Sequence, residues 1–127
     1  MRIALASILG LAASWAVNMG ILQIFLFGKI EEGVDQNEAM MEMFDSFTAI
    51  DYLTPLAAHV FGILIGLIVA RLICKTSNIP IYIIGGLHMA ATVANIFMIP
   101  APTWFIIVDL VLPILIILYF LRTKKKK

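Results

Sequence analysis

The sequence predicts an all-α membrane protein, a four-helix transmembrane bundle with a short amphipathic helix in its first long loop. Three observations carry this. The 127 residues are 62% hydrophobic and 13% charged, against about 45–50% and 25% in a soluble domain. Four apolar runs are each long enough to span a bilayer, which takes roughly 20 residues. The charges are also segregated. Seven of the eight acids fall in one segment, 28–51, while eight of the nine bases fall elsewhere.

The chain reads as one membrane domain, 1–127, with spans over about 3–27, 52–74, 81–98 and 104–121. The first run is almost continuously apolar. Arg2, an apolar core and Ala12-Ala13-Ser14 imitate a secretory signal, but the run continues well beyond the 7–15 residues of a cleaved apolar region. Ala6, Gly10, Ala13, Val17 and Gly20 recur at helical spacing. Such small residues mark a face where a neighbouring backbone can come close.

The polar segment 28–51 holds Glu31, Glu32, Asp35, Glu38, Glu42, Asp45 and Asp51 against Lys29 alone. Within it Met40, Met43, Phe44 and Phe47 fall on one stripe, the period of a short amphipathic helix. Asp35 followed by Glu38 suits a capping box. This helix rests on the bundle or forms a lid over a site at its outer end.

In the second span Gly62 and Gly66 form a GxxxG pair, with Pro55 and His59 on the same stripe. The pair suits packing within one chain or a homodimer. Pro80 fits the first turn of the third helix, where its missing N–H costs nothing. Gly85, His88, Thr92 and Asn95 make one small and polar stripe along that helix. The corner Ile99-Pro100-Ala101-Pro102 breaks the chain, Trp104 opens the fourth span, and Asp109 is the only carboxylate in any apolar run. Pro113, four residues later, removes the helical partner of the Asp109 carbonyl.

Arg2, Arg71, Lys75, Arg122 and Lys124–Lys127 occupy the N-terminus, the turn between spans two and three, and the C-terminus. Four spans put these three places on one side, and the positive-inside rule makes that side cytoplasmic. The acidic loop then lies outside. Tyr52 and Trp104 become anchors of the outer interface, and Tyr82 and Tyr119 of the inner one. The terminal lysines suit attraction to anionic lipid.

At 1.5 Å of rise per residue, Asp109 lies ~8 Å, His59 and Thr92 ~9 Å, Asn95 ~5 Å and Asn18 ~13 Å below the outer ends of their helices. His88 lies at ~15 Å and Gln23 at ~6 Å. Every span thus gives a polar side chain to the outer half-layer. An intramembrane acid usually turns inwards and pairs, so Asp109 is expected to face His59, His88 or Asn18, or to carry its proton.

Several chemistries are disfavoured. The single Cys74 excludes an intramolecular disulfide and Cys-based metal motifs. The two histidines differ by ~6 Å in depth and show no HxxxH or HxxE spacing, so neither metal nor cofactor is implied. Ser7 and Ser14 lie too far from the His59 layer for a hydrolase triad. No phosphate loop or basic groove points to nucleotides or nucleic acid.

Asn95 to Leu112, which contains Pro100-Ala101-Pro102-Thr103-Trp104-Phe105 and Asp109, resembles the end of a family of small, uncharacterised bacterial inner-membrane proteins with four predicted spans. Gly33-Val34-Asp35, and Ala57-Ala58-His59 followed by Gly62 and Gly66, fit the same pattern. The resemblance implies an architecture and a bacterial inner membrane, not a reaction. It places Asn18, His59, Asn95, Pro100, Pro102, Trp104 and Asp109 on the family's pattern, whereas His88 and the lysine tail are this chain's own. Small multidrug exporters share the size but rely on a glutamate in the first span. Here that span has Asn18 and Gln23 and no acid.

The leading expectation is a non-enzymatic membrane protein that binds a lipid, a small ligand or a partner subunit through the outer polar layer. The alternative is a proton-coupled transporter using Asp109 and His59. A DoxX-like or isomerase-like membrane enzyme, analogous only in its four-span outline, comes third.

Overall fold

The computed structural model describes residues 1–123. The lysines Lys124–Lys127, read above as a lipid-attracted tail, lie outside the described residues. Five helices account for most of the chain: α1 (Arg2–Phe25), α2 (Gln36–Asp45), α3 (Leu53–Ile73), α4 (Ile79–Met98) and α5 (Thr103–Arg122). A single 3-10 turn, Phe27–Lys29, follows α1. No strand occurs among the described residues.

Four of these helices, all but α2, are long and apolar enough to cross a membrane. The shortest has 20 residues, about 30 Å of rise and thus the thickness of the hydrocarbon core. Their outer faces are apolar: Phe97 is 85% exposed and Ile24 72%. The chain is an all-α four-helix bundle and a multi-pass membrane protein, and these faces meet lipid.

Helix boundaries follow local chemistry. α1 ends two residues before the apolar run does, where Leu26 leaves helical geometry. Gly33, at φ +95°, turns the chain in a conformation glycine adopts freely. Asp35 then caps α2, its Oδ1 accepting from the N–H groups of Asn37 (2.8 Å) and Glu38 (3.1 Å). No return bond from the Glu38 carboxylate to the Asp35 N–H is made among the described residues, so half of the expected capping box forms. Before α3, Asp51 Oδ2 accepts from the hydroxyl (2.6 Å) and the N–H (2.7 Å) of Thr48. The Thr48 hydroxyl bond, then its N–H, holds the Asp51 carboxyl below its usual range. α4 starts at Ile79, with Pro80 in its first turn, and Pro102 precedes α5 in extended geometry.

α1 packs chiefly on α3. A Cβ on Gly66 would lie 2.7 Å from Ser14 Cβ and 2.8 Å from the Gly10 carbonyl oxygen. A Cβ on Gly62 would lie 3.0 Å from the Ser14 carbonyl oxygen. The GxxxG face is therefore covered by α1 of the same chain. Of the two readings of the Gly62–Gly66 pair, packing within one chain is the one this contact fits, and the face is not free for a second copy. The close-packed ridge of α1 also differs from the expected one. It runs Ala6, Gly10, Ser14, in steps of four that match the step of Gly62 and Gly66. Ala13 and Val17 are only half-buried, and Gly20 has open space around its Cα.

α3 and α4 both contact α1 and α5, whereas α1 and α5 share no comparable contact. The N-terminus, the α3–α4 turn and the end of α5 lie at one end of the bundle. That end is solid: Ala6, Ile63, Leu67, Ala70, Cys74, Ile81, Ile84 and Phe120 form one buried cluster. Arg71 ties it, donating to the Phe120 carbonyl, to Asn78 Oδ1 (3.1 Å) and to the Ser77 carbonyl (3.3 Å). α2 and the α4–α5 corner lie at the other end, where Phe44, Tyr52 and Phe105 form a second, smaller cluster.

Candidate functional site

α3 and α5 start at the same end of the bundle and run the same way. His59 is the seventh residue of α3 and Asp109 the seventh of α5, so equal rise brings both to one depth. His59 Nδ1 lies 2.8 Å from one Asp109 carboxylate oxygen and 2.9 Å from the other. Both residues are buried, at 8% and 3% exposure. A carboxylate only accepts, so Nδ1 is assigned the proton and donates it to both oxygens. In the neutral imidazole this leaves Nε2 with the lone pair, and Nε2 has no hydrogen-bond partner among the described residues. Pro113 is fully buried within an α5 that runs through it, so the Asp109 carbonyl lacks its helical donor at the same spot.

The pair forms part of the wall of a cavity of about 490 Å³ between the four spans and beneath α2. Asn18 from α1 and Thr92 and Asn95 from α4 line the same space. Asn18 is the next step on the ridge Gly10–Ser14 and packs against Gly62: a Cβ there would sit 3.1 Å from Asn18 Cβ. Its Oδ1 is buried without a partner among the described residues. Thr92, 2% exposed, donates its hydroxyl to the His88 carbonyl one turn back (3.1 Å). The remaining walls are mainly Met, Leu, Ile and Phe.

His88 is not part of this lining. Its ring stands edge-on to that of His59, with centroids 6.0 Å apart, and its Nε2 is buried without a partner among the described residues. It therefore backs the pair from a deeper level of the bundle. Gln23 is exposed and belongs to a separate outer hollow, so the polar layer does not include it. Ser7 and Ser14 are buried on α1, Ser14 against Gly66 two turns of α3 from His59. Neither lines the cavity. Among the described residues, no group of three or more His, Cys, Asp or Glu side chains is placed to hold a metal.

The corner and anchor residues separate in the structure. Pro100 and Pro102 line a shallow outer groove with Trp104 rather than the cavity. Tyr82, Trp104 and Tyr119 are exposed. Tyr52 is 6% exposed, which corrects its assignment as an interface anchor. The corner folds over it: its hydroxyl donates to the Pro100 carbonyl (3.1 Å), and its ring meets Phe47, Trp104 and Phe105.

The roof was read only in part from the sequence. Met40, Met41 and Phe44 line the cavity. Met43 instead lines a separate groove with Lys29 and Glu31. Phe47 lies past the end of α2, so helical spacing does not govern it. Asn37 and Phe105 also join the lining. The usable signal was the adjacent pair Met40-Met41 one turn before Phe44, a wedge rather than a line on the helix surface.

No family model, no curated protein and no solved structure matches this chain.

Proposed function

We propose that this membrane protein binds a small amphiphilic ligand in the cavity beneath α2. The single observation that carries the reading is the buried His59–Asp109 pair in the wall of a closed-over, otherwise mainly apolar hollow. Its volume lies within the roughly 300–1,000 Å³ of small-ligand sites, which are likewise mostly apolar with a few placed polar groups. α2 lies on the extracytoplasmic side in this reading. The basic end then faces the cytoplasm of a bacterium, as the positive-inside rule and the family resemblance both suggest.

Native mass spectrometry of gently extracted protein tests this. A small molecule or lipid should remain on the wild type and be absent from Asn95→Phe, which fills the hollow. A bare wild type, or the same adduct on both proteins, would overturn the proposal.

A second reading has its own support. Asp109, His59 and the ring of His88 form a short succession of titratable groups leading from the cavity to the deeper bundle. Such Asp/His successions serve proton relays. In proteoliposomes a proton-coupled carrier would dissipate an imposed pH gradient only when its substrate is added. Asp109→Asn would stop this while the protein stays folded. Dissipation unchanged in that variant removes the transporter reading.

A further inference from the structure

A second, outer hollow adjoins the cavity, and the charged side chains bordering it are acidic. A hollow of about 520 Å³ lies between the end of α1 and the start of α2. It shares Met19, Phe27, Asn37 and Met40 with the cavity, so the two adjoin. Its charged lining among the described residues is Glu31 and Glu32. Lys29 lines a neighbouring groove that Glu31 also borders. Two carboxylates thus lie in the hollow next to the one that holds the His59–Asp109 pair.

That pair is built to accept. His59 is more than nine-tenths buried and forms part of the cavity wall, with its Nε2 unpartnered among the described residues. With Nδ1 donating to Asp109, the lone pair of Nε2 and the carboxylate oxygens are both acceptors. Phe44, Tyr52 and Phe105 border the same wall, and an aromatic ring attracts a cation held over its face within about 6 Å of its centre. Among the described residues, no Lys or Arg lines either hollow. The methionines give a soft, adaptable wall that suits an alkyl chain without defining its shape.

We infer that the ligand is a cationic amphiphile, an aliphatic amine whose ammonium group sits at His59 and Asp109 and whose chain lies under α2. This rests on the reading of the cavity as a ligand site and names the ligand's head group. Glu31 and Glu32, in the adjoining hollow, raise the local concentration of the cation beside the cavity, as one sign of charge lining a cleft does. The ammonium then donates to Nε2 and to the carboxylate, charge-assisted bonds about twice as strong as neutral ones.

The test uses the full chain in nanodiscs of zwitterionic lipid, which remove anionic lipid as a competing amine site. Decylamine, decanol and decanoate share a chain and differ in head group. Each is added at equal concentration, and retained probe is read by native mass spectrometry. Decylamine should be held at least roughly ten-fold more tightly than decanoate, with decanol between. Asp109→Asn should bring decylamine down to the level of decanol. Glu31→Gln with Glu32→Gln should slow loading and leave the final occupancy unchanged.

Equal retention of the three probes, or a preference for decanoate, would overturn the inference and leave the cavity reading intact. Decylamine bound undiminished to Asn95→Phe would place the amine on the acidic loop and also overturn it. Failure of every probe to bind in a manner sensitive to Asn95→Phe would overturn the cavity reading itself. If Asp109→Asn does not fold, the head-group order on the wild type decides alone.

Discussion

The two ends of this bundle use the same four helices differently. At the Arg71 end, small residues let backbones meet, and aliphatic side chains close the remaining space. At the α2 end the same helices leave a hollow of about 490 Å³ and put Asn18, His59, Thr92, Asn95 and Asp109 around it. Glycine explains part of the contrast. Gly10, Gly62 and Gly66 hold α1 on α3, and Gly85 brings Ile117 of α5 close to α4, where a Cβ would lie 2.9 Å from its Cδ1. Beyond these contacts the helices are free to part, and α2 covers the gap. The solid end therefore supplies rigidity, and the open end is where chemistry is affordable. Lipid tails provide no hydrophobic drive between helices, so close packing at one end must hold the geometry for both.

This comparison is open to attack from its strongest side first. Gly66→Leu drives a side chain into the Gly10 carbonyl and Ser14. Overpacking of this kind costs about 1–3 kcal/mol and occasionally more. Loss of a monodisperse peak on size exclusion, or a large fall in thermal midpoint, is expected. A stable Gly66→Leu protein would show that the tight contact is dispensable.

Asp109→Asn should behave oppositely. Interhelical polar bonds in a membrane average about 0.6 kcal/mol and reach about 1.7, so its stability should fall only by that order. Ligand retention should fall much further. A thermal loss as large as that of Gly66→Leu would mean that the pair is structural glue and that the two ends do not differ in kind.

Asn95→Phe sharpens the contrast. A large side chain added to a close-packed core destabilises it, but here there is space to receive it. Stability should remain within about 1 kcal/mol of wild type, while bound ligand disappears. Unfolding of this variant in denaturant titration at a much lower midpoint would indicate that the hollow closes in the working protein.

Tyr52→Phe removes one hydrogen bond to the Pro100 carbonyl and keeps the ring. It should cost about 1 kcal/mol and loosen the α4–α5 corner, read as faster amide exchange near Trp104. The smallest effect concerns pH. Asp51 has its carboxyl held below the ordinary value by Thr48. Its contribution is therefore complete above the unfolded value and lost as pH falls through the lowered folded one. Exchange of the Thr48 amide should rise on acidification and become insensitive to this step in Asp51→Asn.

Much of the architecture was legible from the residues. Four apolar runs, Pro80 and the Pro100–Pro102 corner announce the spans because backbone groups in lipid must be satisfied within a helix. Counting rise along the helices also put His59 and Asp109 at nearly one level, since depth is linear in sequence. Rotation about the helix axis is not so easily counted. The ridge on α1 was read as drifting through Ala13 and Val17, yet the structure keeps to steps of four, because that is the step of the glycines facing it. Tyr52 looked like an interface anchor from its position at a helix end, and the folded corner covers it. Met41 faces the cavity and Met43 does not, a difference that depends on how α2 lies across the bundle.

Sequence alone determined that the chain crosses a membrane four times, where it turns, which end is basic and which polar side chains share a depth. Those properties are one-dimensional: hydropathy, charge and rise add along the chain. Tertiary structure decided that Gly62 and Gly66 are covered by α1, that His59 Nδ1 meets Asp109, that His88 stands behind them, and that a hollow remains under α2. Each of these depends on the angle at which one helix presents its surface to another. Small residues brought together through space set that angle, and no single run of the sequence contains it.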